Sequence, residues 1–254
     1  MKKLGSKTLA LGMVACLSLS ACAGKMSGAD GYSEIPDPIE GVNRATLQVN
    51  EALDKAILEP TARGYRAVTP GFFRTLVSNF LTNLKSPVTI GNQLLQGDLK
   101  GAGNATARMV INTLAGFGGI LDLADEGGIP HEPEDFGQTL ATWGVGDGMY
   151  IVLPLLGPSS ARDAAGIVVD SYADPLRLYL FNVEDEGLDY ARVSATVLSE
   201  RERLLDVIED LRKNSFDYYA AIRSAYYQNR QSLIRDEKTS GSAAGPDIPE
   251  YDDF

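Results

Sequence analysis

The 254-residue chain reads as all-α. Apolar residues recur at spacings of three and four along most of it, and proline and glycine punctuate those runs at helix-sized intervals. Only residues 149–156 (MYIVLPLL) resemble a strand, and Pro154 interrupts them.

Asp37-Pro38 with Glu40 opens the first helix, since proline is tolerated in a first turn and acids suit the positive end of the helix dipole. Leu47, Leu53, Ile57 and Leu58 continue it to a break near Pro60. A second helix follows Pro70, carries Phe73, Leu76, Val77, Phe80, Leu81 and Leu84, and ends before Pro87. Residues 88–95, 104–115 and 159–170 form further helices. Over 193–213, Val197, Leu204, Leu205, Ile208 and Leu211 make one stripe, with Glu209 and Lys213 paired on the solvent side. After Asn214 a last helix carries Phe216, Tyr219, Ile222, Tyr226 and Leu233.

The chain carries 23 Lys plus Arg against 34 Asp plus Glu, and this acidic balance argues against a nucleic-acid binder. Its apolar runs fall short of the roughly 20 residues of a mature membrane-spanning helix, which excludes a polytopic transporter. Chemistry-bearing residues are scarce: the single histidine is His131, in a loop after Pro130, and the cysteines are Cys16 and Cys22. No metal site, cofactor or catalytic group is expected from so few ligands and bases. G-x-x-x-x-G-K-[ST] and G-x-S-x-G are both absent, so neither nucleotide-driven work nor lipid hydrolysis is indicated.

Residues 1–21 read as a secretory signal, with Lys2, Lys3 and Lys7 ahead of the short apolar run from Leu9 to Leu19. Leu19-Ser20-Ala21-Cys22 looks like a bacterial lipobox, which makes Cys22 the acylated first residue of the mature chain. Cleavage before Cys16, after Met13-Val14-Ala15, fits the pattern less well. Ala23 in the next position favours the outer membrane. Residues 22–36 read as a lipidated flexible tether spanning roughly 20 Å, residues 37–235 as one domain, and residues 236–254 as a disordered acidic tail.

Of the 26 glycines, 15 lie between Gly91 and Gly166. Residues 109–124 (MVINTLAGFGGILDLA) are mostly apolar, yet Asn112 and Asp122 sit inside, and Gly116, Gly118 and Gly119 interrupt the helical run. Three glycines at about 1 kcal/mol each in a helix interior imply a turn, and hence a hairpin. Its apolar arms either pack in the core or form a segment that dips into a bilayer or gates a cavity.

At this point a string of motifs becomes recognisable. Asp37-Pro38-x-Glu40-Gly41-x-Asn43-Arg44, Ser78-Asn79-Phe80-x-x-Asn83-Leu84 and Leu94-Leu95-Gln96-Gly97 come first. Asn112-Thr113-x-x-Gly116-x-Gly118-Gly119 with Asp122, Glu134-Asp135-Phe136-Gly137-Gln138-Thr139-Leu140, and Trp143-Gly144-Val145-Gly146 follow. Leu153-Pro154-Leu155-Leu156-Gly157-Pro158-Ser159, Arg162-Asp163 and Asp174-Pro175 complete the series. In order and spacing they resemble the VacJ/MlaA lipoprotein family over residues 37–235, with a weaker match between Leu176 and Val193.

The resemblance implies a ring-shaped, mainly helical lipoprotein in the inner leaflet of the outer membrane, with a glycine-hinged hairpin beside an amphipathic channel. It implies removal of mislocalised phospholipids from the outer leaflet, their transfer to a periplasmic lipid carrier, and docking against a trimeric porin. A lipoprotein that only scaffolds porins or envelope contacts is the alternative. Physical chemistry fits a shielded route: about 30 chain CH₂ groups at roughly 0.8 kcal/mol each cost on the order of 24 kcal/mol to expose to water.

Particular residues keep two readings. Asn43 and Arg44 either border the channel or serve as a cap or surface contact. Arg201, in the sequence Arg201-x-x-Leu204-Leu205-Asp206, either attracts lipid phosphate or lies on a solvated face. Trp143 and Tyr150 sit at head-group level or in the core. Tyr218, Tyr219, Tyr226 and Tyr227 meet a porin or the interface, or pack inside. Arg162, Asp163 and Asp170 are expected to pair internally and fix the ring.

Overall fold

The computed structural model describes residues 36–235. The signal segment, Cys22, the tether through residue 35 and the acidic tail lie outside them. Among the described residues the architecture is helical, with one two-stranded antiparallel sheet.

Helix α1 (Glu40–Leu53) passes through a π segment (Asp54–Leu58) into α2 (Glu59–Val68). The break expected at Pro60 is therefore absent. Proline falls at the start of α2, where the ladder changes from π to α spacing and its missing N–H costs least. Helix α3 (Gly71–Gln96) likewise runs through Pro87, merging two expected helices. The residues that follow the proline, Val88, Thr89, Asn92 and Gln93, are all buried, and that packing outweighs the roughly 3 kcal/mol propensity cost. Gly97, at φ 81°, ends α3, and Asp98 caps α4 (Leu99–Leu114) through the amides of Lys100 and Gly101.

The short helices α5 (Leu123–Glu126) and α6 (Phe136–Thr142) precede the sheet. Strands β1 (Tyr150–Leu153) and β2 (Gly157–Ser160) pair from Tyr150 opposite Ser160 to Leu153 opposite Gly157, leaving Pro154 in the turn where it needs no ladder partner. The sequence of β2, Gly-Pro-Ser-Ser, has no strand character of its own, so only its partner reveals it. Helices α7 (Ala161–Ala173) and α8 (Pro175–Asn182) start on the side-chain caps of Ser160 and Asp174.

The single helix expected over 193–213 is two, α9 (Glu186–Arg203) and α10 (Leu205–Asn214), joined at Leu204. Of the expected stripe Leu205 is buried, while Val197 and Leu204 are exposed. Helix α11 (Tyr218–Ile234) begins after Phe216, because the Asp217 carboxylate caps it at the amides of Tyr219 and Ala220; Phe216 lies outside, fully exposed.

The buried apolar cluster is small: Leu47, Tyr150, Val152 and Tyr219, with Tyr218, Tyr226 and Tyr227 against it. Buried polar and charged residues outnumber buried apolar ones, while Val68, Phe72, Leu114, Phe117, Leu155 and Tyr172 stand exposed. This is the inverse of an ordinary globule. Among the described residues no helix is long and apolar enough to cross a membrane. Residues of α3, α7, α8, α9, α11 and β2, with the α6 cap Asp135, line an open cavity of about 430 Å³.

Candidate functional site

The glycine segment folds as a turn between unequal arms, the long α4 and the single turn α5, rather than between two matched apolar helices. Gly118 and Gly119 take φ of 76° and 94°, and Phe117 joins them at 54°. A Cβ on Gly119 would meet Asn83 of α3 at 2.4 Å, and one on Gly116 would meet the Leu121 carbonyl at 2.3 Å. The turn is thus pressed against its neighbours and cannot admit side chains at these two positions.

Polar groups hold both sides of the turn. Asn112 donates to Asp122 at 2.8 Å and accepts from the Ala124 amide at 3.0 Å. Arg108, four residues before Asn112 on the same helix face, donates to the other Asp122 oxygen at 2.6 Å and to the Ile129 carbonyl. Burial raises the Asp122 pKa, but the bonds from Asn112 and Arg108 outweigh it and hold the carboxyl below its ordinary range. From α3, Asn83 donates to Thr113 Oγ1 at 3.0 Å and Asn79 to the Ile120 carbonyl at 3.3 Å. Leu114 and Phe117, 80 % and 77 % exposed, leave the tip of the turn apolar. The sequence reading named Asn112 and Asp122 but not Arg108, although its i−4 spacing from Asn112 was a usable signal.

The other predicted residues lie apart from the hairpin. Asn43 is buried, donating to Asp37 at 2.8 Å and to the Tyr150 carbonyl at 3.0 Å, and accepting from the Val152 amide at 2.9 Å. It ties α1 to β1. Arg44 forks onto Asp217 at 3.1 and 2.6 Å and lies over the Tyr219 ring, joining α1 to α11. Arg201 forks onto Asp54 of the π segment at 2.6 and 2.8 Å, and Arg212 reaches the same carboxylate at 2.8 Å. Tyr150 is fully buried in the apolar cluster, which corrects its placement at head-group level: its strand packs it between Tyr219 and Tyr226. Trp143 is 54 % exposed, its indole N–H donating to the Leu95 carbonyl at 3.0 Å.

The cavity wall is the second element of the site, and none of these hairpin or clamp residues lines it. Arg230 of α11, which the sequence reading did not single out, bridges Asp135 at 2.6 Å and Asp163 at 2.7 Å. Tyr226 donates to Asp163 at 2.5 Å. The wall is tight at this point: a Cβ on Gly166 would meet the Gly137 amide nitrogen at 2.5 Å, so glycine on both α6 and α7 lets the two helices touch. Asp163 and Asp170, expected to be internal, do line the cavity. Asp163 is ion-paired, whereas Asp170 accepts from Asn92 and from the Phe136 amide, both at 2.9 Å, and burial pushes its carboxyl up. Leu81, Ile167, Val193 and Val197 supply apolar surface to the same cavity.

A helical body with exposed apolar side chains, an open cavity lined by arginine–aspartate pairs and aliphatic side chains, and a latched glycine hairpin together define the class. The chain belongs to the MlaA lipoprotein family, whose model matches residues 35–233. The intermembrane phospholipid transport system lipoprotein MlaA of Escherichia coli K12 is 32 % identical over 98 % of this chain and 99 % of its own length. The protein of the same name in Haemophilus influenzae is 32 % identical over 92 % of both chains. An uncharacterized protein of Rickettsia felis is 36 % identical over 81 % of each. A solved structure described as "Structural basis for maintenance of bacterial outer membrane lipid asymmetry" superposes with a TM-score of 0.68 at 33 % identity, covering 78 % of this chain and 98 % of that one.

Proposed function

We propose that this chain is an outer-membrane lipoprotein, anchored through Cys22 on the periplasmic face, that removes mislocalised phospholipids from the outer leaflet and passes them to a periplasmic lipid carrier. Its partners in this reading are phospholipids, the inner leaflet of the outer membrane, a trimeric porin and the carrier. The observation that carries it is the inverted polarity, with exposed apolar side chains outside and a charged open cavity inside. Polar groups near hydrocarbon need partners, and a wall of paired ions offers a head group a route that bare hydrocarbon denies it. Family membership and the named relatives support the same reading. The role in this reading is non-catalytic: His131, the single histidine, shares a small side pocket with Arg108, away from the open cavity.

The test replaces the exposed tip residues Leu114 and Phe117 with serine in the native host, with phospholipid exposure on the cell surface as the readout. Exposure should rise while protein abundance and porin co-purification stay at wild-type levels. Unchanged asymmetry at normal abundance would replace transport with the scaffold reading.

A further inference from the structure

The charges facing the cavity do not all cancel in the same way. Arg230 is taken up by Asp135 and Asp163, Arg192 reaches Asp174 at 2.6 Å and Asp189 at 2.7 Å, and Arg177 stands 3.3 Å from Asp189. Lys85 of α3 lines the cavity as well, and among the described residues no carboxylate lies within 4.0 Å of its ammonium. Its charge acts on Asp135 and Asp170 only at longer range. Asp135, Asp163 and Asp174 are already matched by arginines, so they offer little repulsion to an incoming anion. Leu81, Lys85 and Val88 fall at i, i+4 and i+7, on one face of α3 that also lines the cavity. A cation flanked by apolar side chains, in a space shared with Ile167 and Val197, suits a ligand with an anionic head and hydrocarbon chains.

We propose that Lys85 holds the phosphate of a glycerophospholipid in this cavity, with the first carbons of its chains along Leu81, Ile167 and Val197. The assignment rests on the transport reading and deepens it by naming the head-group contact. An ammonium and a phosphodiester form a charge-assisted hydrogen bond, and among the described residues no carboxylate competes for the position at contact distance.

The full lipoprotein in detergent is offered dioleoyl phosphatidylglycerol, dioleoylglycerol without the phosphate, or soluble glycerophosphoglycerol, and retained ligand is measured by mass spectrometry after gel filtration. Wild type should retain the phospholipid about tenfold over dioleoylglycerol, the scale of one charge-assisted bond, and should not retain the soluble head group. Lys85→Gln should lose that preference and Lys85→Arg keep it, with melting temperatures unchanged because the side chain is exposed to the cavity. A Lys85→Gln protein that discriminates as wild type does overturns the assignment and leaves transport standing. A wild type that retains neither lipid overturns both. Soluble head group held as tightly as the lipid overturns the lipid assignment in favour of free phosphodiesters.

Discussion

At the level of single residues, the hairpin glycines divide into two kinds. Gly118 needs only its left-handed backbone, for nothing lies within 4 Å of a Cβ placed there, whereas Gly119 combines φ 94° with a Cβ position 2.4 Å from Asn83. Gly118→Ala should therefore cost about 1 kcal/mol, the ordinary strain of an L-residue in that region. Gly119→Ala should cost on the order of 3 kcal/mol, because strain and overpacking against Asn83 add. Urea unfolding of the two variants measures the difference, and equal costs would mean that Asn83 yields freely. The sequence made the three glycines legible as a turn, since no helix tolerates them together. It could not separate them: the partner that distinguishes Gly119 lies on α3, 36 residues away. Lys85 and Arg230 were illegible for the same reason, as nothing local to either residue shows which charges fold opposite it.

Between elements, arginine–carboxylate bridges do the joining that a large apolar core does elsewhere. Asp54 connects the π segment to α9 and α10 through Arg201 and Arg212, Asp122 connects the hairpin to α4 through Arg108, and Asp135 connects α6 to α11 through Arg230. Burial raises the pKa of each of these three carboxyls, and hydrogen bonds from the arginines, with Asn112 at Asp122, more than reverse it. All three thus titrate below the ordinary carboxylate range. A carboxylate depressed by folding contributes stability above its unfolded pKa of about 4 and loses it as pH falls through the folded value. Asp170 opposes them, because burial raises its pKa and protonation then favours the folded state. Three groups outweigh one, so the melting temperature should hold from pH 7 to about 5 and fall steeply below about 4. A flat profile down to pH 2 would show that the bridges contribute nothing to holding the helices together. Helical periodicity revealed most elements, but their boundaries failed at Pro60, Pro87 and Leu204, where contacts between distant segments override local preference.

For the whole molecule, the open form of the cavity sets a limit on what the protein can do alone. Two acyl chains need on the order of 900 Å³ at about 30 Å³ per CH₂, and the cavity is an open cleft rather than an enclosed chamber. In the proposed transport role such a cleft covers a head group and part of the chains while the remainder stays in hydrocarbon. Full exposure to water costs on the order of 24 kcal/mol, so departure requires an acceptor that shields the chains as they leave. The chain has no phosphate-binding loop with which to drive export. In the proposed role, direction then follows from the gradient of mislocalised lipid and the affinity of the acceptor. Purified lipoprotein reconstituted in liposomes should release no measurable phospholipid into buffer by itself. Adding a soluble lipid-binding acceptor should produce transfer that saturates with acceptor concentration and is the same with or without ATP. Release without any acceptor would mean that the protein shelters whole lipids in water, which an open cavity does not provide.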